Sequence, residues 1–488
     1  MPDPDRRPLP RIIQGGMGAA VSTWRLARAV AAQGGLGVVS GTAIERVLAC
    51  RLQEGDPDGI MRAAIARFPD QAMARSVIGR WYRPDGLPAP GVYAPVPMFS
   101  DKSPAELIHL AIVAAFVEVT LARIGSTGVL HGGQVGINLL EKIQPPTLPL
   151  LHGAMLAGVD WVLMGAGIPR EIPGHLDRLA RGEPTALKLA VADGPAVELP
   201  YDPAIVQPMV PLARPRFLAV VASDVMAASL ARSGGVDGFV VEGPTAGGHN
   251  APPRGAGRVP TARPVYGERD RADLARMRGF GLPFWLAGGQ AGPGALAAAL
   301  AAGAAGVQIG TAFAFCRESG LDGAVRRRIL DGVRAGTAQV VTDGRASPTG
   351  FPFKTVDIPG SEGSRPAAER ARGACVMGYL RSPYRRADGG LGWRCPAEPE
   401  TQWSAKGGDA SECADRRCLC QGLMSAAGHP HRGEEGLEWP LITAGDDLDP
   451  VRRCLDGRDD YGAADVMALV SQGIDATGSA PEACTVLT

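Results

Sequence analysis

Eight short apolar runs recur between residues 11 and 313, most of them followed by a helix-like stretch, and no other feature restricts the architecture as much. The strand-like runs are RIIQGG (11–16), LGVVSGT (36–42), QVGINLL (134–140), DWVLMGAG (160–167), TALKLAVADG (185–194), DGFVVEG (237–243), PFWLAGGQ (283–290) and GVQIGTAF (306–313). Between them lie stretches such as STWRLARAVAAQ and SDVMAASLARSGG, with a hydroxyl residue as N-cap, apolar residues at helical spacing and glycine as the stop. Alternation of this kind builds either a doubly wound open sheet or a closed (β/α)8 barrel. The count of eight, and the lack of a G-x-G-x-x-G motif after the first run, favour an α/β fold of the TIM-barrel type.

One connection is too long for a single crossover helix. Residues of about 43–130, between the second and third runs, are expected to form a mainly helical insertion, lying over the barrel mouth or in a contact between copies of the chain. After residue 345 the rhythm stops. The expected division is therefore a barrel over 1–345 and an irregular C-terminal module over 346–488.

Composition narrows the function classes. Lys plus Arg and Asp plus Glu both number 50, so net charge is zero and no basic footprint for nucleic acid is present. The most apolar stretch, LIHLAIVAAFVEVTLARIG, carries His109, Glu118 and Arg123 and reads as a buried helix, not a membrane span. The N-terminus has no apolar run of signal-peptide length, and the expectation is a soluble, cytoplasmic protein without membrane or nucleic-acid partners. Seven of the nine cysteines follow residue 370. In a chain read as cytoplasmic they are thiols or metal ligands. Cys375, Cys395, Cys418 and Cys420 make the best tetrad for zinc, which would staple a segment with little visible core. An iron–sulfur cluster and plain thiols are the alternatives.

Chemistry in such a barrel sits at the C-terminal strand ends. Here those ends are rich in glycine: Gln14-Gly15-Gly16-Met17, Asn138 after the third run, Glu242 followed by Gly247-Gly248-His249, then Gly288-Gly289 and Gly310-Thr311. Glycine lets a flat ligand approach the backbone. Small residues after the seventh and eighth strands suit a phosphate. His249 is the one imidazole in such a setting, and its ordinary pKa suits proton transfer near neutrality. Lys188, one of five lysines, stands on the fifth run, from which an inward side chain would stabilise charge developing on a bound ring.

QGGMG, GINL, VVEGPTAGGH, LAGGQ and GVQIGTAF, in this order, resemble the nitronate monooxygenase family, formerly called 2-nitropropane dioxygenase, which shares a fold with the flavin-dependent enoyl-acyl-carrier-protein reductases. The resemblance covers about residues 10 to 345 and implies an FMN-binding TIM barrel. It implies that Gln14, Gly15, Gly16, Met17 and Asn138 lie along the flavin ring, with Glu242 near it; read from its strand, an inward Lys188 would face the edge of that ring. Gly247, Gly288, Gly289 and the run Gln308, Ile309, Gly310, Thr311 would hold the ribityl chain and phosphate. Glu242 stands where the family often has Gln, so a carboxylate near the ring would disfavour an anionic reduced flavin unless it is protonated or points away.

By the same resemblance His249 is the acid/base of an enzyme that oxidises alkyl nitronates with O2. Two other readings stay open: an enoyl-thioester reductase using NAD(P)H, and a non-catalytic barrel scaffold. A small-molecule substrate and self-association are further expectations.

Overall fold

The apolar runs become strands because β-branched and aromatic residues pack on both faces of a sheet covered by helices. The computed structural model describes residues 7–125, 128–255, 262–365, 373–434 and 436–474. Eight parallel strands close a barrel: β1 (Ile12–Gln14), β2 (Leu36–Ser40), β3 (Gln134–Leu140), β4 (Trp161–Gly165), β5 (Arg216–Val221), β6 (Gly238–Glu242), β7 (Phe284–Ala287) and β8 (Gly306–Ile309). Each pairs with the next in chain order, and β8 returns to β1 with Ile12 opposite Val307. The expected TIM barrel is therefore present.

One strand differs from expectation. Thr185–Leu189 is not in the barrel; it pairs antiparallel with Val197–Tyr201, Lys188 opposite Glu198. Its side chains alternate between buried and more exposed, as in a sheet with one wet face, whereas barrel strands are buried on both sides. The fifth place belongs to RFLAVV at 216–221, which leads into the helix Asp224–Ser233, capped by Ser223 Oγ on the Met226 N–H.

The barrel interior is filled by Ile13, Leu36, Val38, Trp161, Leu163, Leu218, Val240, Trp285 and Ala287. The two indoles meet edge to face with centroids 6.0 Å apart. Their N–H groups donate to Gln134 Oε1 and to the Pro10 carbonyl, so neither buried donor is left unpaired. This plug closes the barrel below and makes the floor of the mouth above it.

The long connection is helical, as expected: Ile44–Gln53, Ile60–Ile65, Gln71–Trp81 and Ala105–Arg123. The last is long and apolar enough to cross a membrane, but 72% of its apolar window is buried. It packs on the helices Thr147–Leu156, Trp24–Ala31 and Ile44–Gln53, which makes it a core helix of the outer layer.

The C-terminal stretch is woven onto the barrel. The hairpin of Gln339–Asp343 with Phe353–Asp357 spans residue 345, where the sequence suggested a division. The helix Ala463–Val470 packs on Trp24–Ala31, and Tyr461 Oη donates to the Ala312 carbonyl at 2.6 Å.

Candidate active site at the barrel mouth

A cavity opens over the C-terminal strand ends. It is lined by Gly15, Gly16, Met17, Asn138, Glu242, Gly247, Gly288, Gly289, Gln308, Ile309, Gly310 and Thr311 of the expected cofactor set, together with His249. Its outer wall comes from further along the chain: Tyr379, Leu380, Leu419, Leu423 and the segment Leu441–Gly445.

Packing dictates several of the glycines. A Cβ on Gly16 would fall 2.2 Å from the Asn138 Cβ, and one on Gly288 would fall 2.9 Å from Thr245 Oγ1. Gly288 and Gly289 also hold φ of +90° and +66°, where side-chain-bearing residues are rare. Thr311 Oγ1 accepts the Gly445 N–H at 2.8 Å, which leaves its own proton free to donate.

Two expected ring neighbours are placed elsewhere. Gln14 is fully buried and does not line the cavity. Its Nε2 donates to Ser22 Oγ at 2.8 Å and its Oε1 accepts the Val38 N–H at 3.0 Å, so the amide is consumed in tying β1 to β2 and to the loop after it. Lys188 lies on the hairpin outside the barrel, 62% exposed, and pairs with Glu171 at 3.5 Å.

A different lysine reaches this region. Lys142, two residues past β3, stacks over the Phe351 ring at 4.5 Å and interacts electrostatically with Glu242 and Glu141. Burial brings its ammonium down to about 8, with the two glutamates opposing that shift. Burial pushes the Glu242 carboxyl up to about 7, against the pull of Lys142. Glu242 is thus largely a neutral acid below neutrality, which eases the conflict between a carboxylate and an electron-rich ring. Spacing in the sequence had no means of singling out Lys142; its signal is a lysine in a strand-end loop directly after GINLL.

His249 is held from both sides. Its residue bridges Phe353, the Lys354 N–H donates to the Gly248 carbonyl at 3.0 Å, and the Gly248 N–H donates to Thr443 Oγ1 at 2.9 Å. The imidazole meets the Phe353 ring edge to face at 4.8 Å. Nε2 is hydrogen-bonded to Ser347 Oγ at 2.7 Å. Burial, reinforced by Lys142, holds the imidazole well below its usual pKa, so it stands as a neutral base.

The expected cysteine tetrad is brought together. Cys375, Cys395, Cys418 and Cys420 line one small cavity beside Arg381. Among the described residues, however, no three His, Cys, Asp or Glu side chains are grouped to hold a metal ion, and the expected zinc is unsupported. Burial raises the Cys395, Cys418 and Cys420 thiols, which keeps them protonated and leaves them acting as small apolar side chains.

The residues present fit a flavin mononucleotide. A floor of backbone and small side chains accepts a planar ring, and the positive-φ glycines with Thr311 present N–H and O–H donors for an anionic tail. The architecture and mouth together define the class: a (β/α)8 barrel whose binding site is a glycine-lined cleft at the strand ends.

Within that class, residues 213–346 match the family model described as nitronate monooxygenase. The segment contains β5 to β8, Glu242 and His249. A nitronate monooxygenase of Pseudomonas aeruginosa is 37% identical over 128 residues, which is 26% of this chain and 34% of that protein. The chain thus spans about a third of the length of the curated relative it matches. Among solved structures, FabK from Thermotoga maritima is 17% identical over 94% of this chain and 91% of that one, with a TM-score of 0.45. Nitroalkane oxidase from Streptomyces ansochromogenes is 16% identical over 95% and 94%, with a TM-score of 0.44. The fold assignment rests on the strand pairing of this chain itself.

Proposed function

We propose that this chain is an FMN-dependent oxidoreductase that converts nitroalkanes to nitronates and oxidises the nitronates with O2. The observation that carries this reading is His249: a neutral imidazole in a glycine-lined mouth, fixed at Nε2 by Ser347, with Nδ1 making no hydrogen bond among the described residues. Bound FMN would supply a two-electron acceptor that returns its electrons to O2. The protein does the rest. Gly15, Gly16, Met17 and Asn138 would seat the ring, and Gly247, Gly288, Gly289, Gly310 and Thr311 the phosphate-bearing chain. His249 Nδ1 takes the α-proton of a neutral nitroalkane, leaving the carbanion-like nitronate. Glu242, largely protonated below neutrality, adds little negative charge beside the ring.

The test is the visible spectrum of the purified protein, followed by turnover of a primary nitroalkane. A flavin spectrum is expected. His249→Gln should keep the flavin and lose roughly 10²–10⁴ in nitroalkane turnover. A colourless protein that takes up no FMN, or a His249→Gln variant of parental activity, would overturn the proposal.

The wall of Leu380, Leu419, Leu423, Leu441 and Ile442 favours a second reading, an enoyl-thioester reductase whose acyl chain lies on that apolar side. It predicts rapid anaerobic bleaching by NADPH, which the first reading does not.

A further inference from the structure

A second cavity lies beside the mouth, lined by Lys142, Glu141, Gln144, Arg381 and Trp393 among others. His249 lines the first cavity and not the second; Lys142 lines the second and not the first. Between them runs an unbroken file of hydroxyls. Ser347 Oγ, 2.7 Å from His249 Nε2, is 2.8 Å from Thr349 Oγ1, and Lys142 Nζ is 3.5 Å from that same Thr349 oxygen. Ser347 is fully buried, and Arg416 Nη1 pins its carbonyl at 2.5 Å while the Thr349 N–H donates to its Oγ.

The proposed chemistry creates a need for such a file. A base that removes a proton from carbon has to release it before the next turnover, and a bound substrate and ring exclude water from its substrate side. We propose that His249 discharges its proton away from the mouth, through Ser347 and Thr349 to Lys142 and the water of the second cavity. This rests on the reading of His249 as the acid/base.

The transfers balance. Nδ1 receives the α-proton and Nε2 gives its own to Ser347 Oγ. The Ser347 hydroxyl proton passes to Thr349, and the Thr349 proton passes to the neutral amine of Lys142. The resulting ammonium hands one proton to solvent; once product leaves, Nδ1 gives its proton to water entering the mouth while the file returns one from solvent to Nε2, which restores the starting tautomer with one proton released in all. Each hydroxyl both accepts and donates, which Val or Ala at either place could not do. The charged and titratable groups around Lys142 are Glu141, Glu242 and His249 itself, with Arg381 on the wall of the same cavity. Burial brings the Lys142 ammonium down to about 8, which provides amine near neutral pH.

The experiment compares turnover of a neutral nitroalkane with that of its preformed nitronate, which needs no proton removed. In Thr349→Val and Lys142→Met the ratio of the two rates is expected to fall at least tenfold, with a larger solvent isotope effect on the nitroalkane. Added methylamine should restore the ratio in Lys142→Met saturably, and Ser347→Thr should restore what Ser347→Ala loses. In the flavin-free protein, exchange of the His249 Nε2–H with water, read by NMR, should slow in Thr349→Val. An unchanged ratio in both variants, or unchanged exchange in Thr349→Val, beside an inactive His249→Gln, would overturn the relay and leave the acid/base reading standing. Equal loss on both substrates without amine rescue would overturn it too. A parent protein inert toward neutral nitroalkanes would sink the acid/base reading itself.

Discussion

Lys354 Nζ lies 2.8 Å from the Asp446 carboxylate, and while the ammonium is only 1% exposed the carboxylate is 45% exposed. The same ammonium donates to Thr342 Oγ1 at 2.6 Å. This contact fastens the hairpin that carries Phe353, and so the backing of His249, to the segment that walls the mouth.

Removing the carboxylate leaves a buried cation with one hydroxyl for company. Asp446→Ala is therefore expected to cost about 2 kcal/mol, below the range for a fully buried pair because Asp446 already meets water. Lys354→Met should cost less, since it removes the charge along with its need for a partner. Chemical denaturation of the two variants measures the difference.

Gly247 is pressed against the wall segment: a Cβ there would come 2.7 Å from the Ala444 carbonyl carbon and 2.9 Å from the Gly445 nitrogen. Both are backbone atoms, so the wall has to move as a unit. Gly247→Ala is expected to cost about 1–3 kcal/mol of stability and to weaken FMN binding about tenfold. Gly248→Ala meets open space and bears only the strain of φ +79°, of order 1 kcal/mol. Flavin titration followed by thermal unfolding separates the two.

Glu242 makes stability depend on pH in a definite direction. Its folded-state value of about 7 lies above the ordinary 4.5, so the folded protein holds the proton more tightly than the unfolded chain. The benefit is complete below pH 4.5 and is lost as pH rises to 7 and beyond, on the order of 3 kcal/mol in all. Glu242→Gln should flatten that decline and be more stable than the parent at pH 8. Melting curves from pH 5 to 9, in about one-unit steps, decide this.

Lys188→Met provides a control. Its ion pair with Glu171 is exposed and on the hairpin outside the barrel, so stability should change by less than about 0.5 kcal/mol. Flavin affinity should stay within twofold of the parent, read by the same titration.

Local pattern carried the barrel well because each strand and its helix are encoded within a few dozen residues. The exception is instructive: TALKL carries Lys188 and pairs with the nearby Val197–Tyr201, whereas RFLAVV, apolar after its Arg, pairs with a strand some fifty residues earlier, and the count of eight runs took the wrong one of the two. The glycines of the mouth were legible because a strand end has few ways to use them. Gln14 was not, since its position beside Gly15 says nothing about which way the amide turns. Ser347, Phe353 and the wall at Leu441–Gly445 reach His249 or the mouth only through tertiary contacts, and Lys142 through its strand-end loop. The four cysteines converge as their clustering suggested.

The Gly445 N–H bonded to Thr311 joins the eighth strand's end to a stretch made late in translation. All eight strands precede that stretch in the chain, so the outer side of the mouth is the last part of the site to be made. The site is thus finished from the far end of the chain: the last wall to be synthesised is the one that turns an open strand-end surface into a cup.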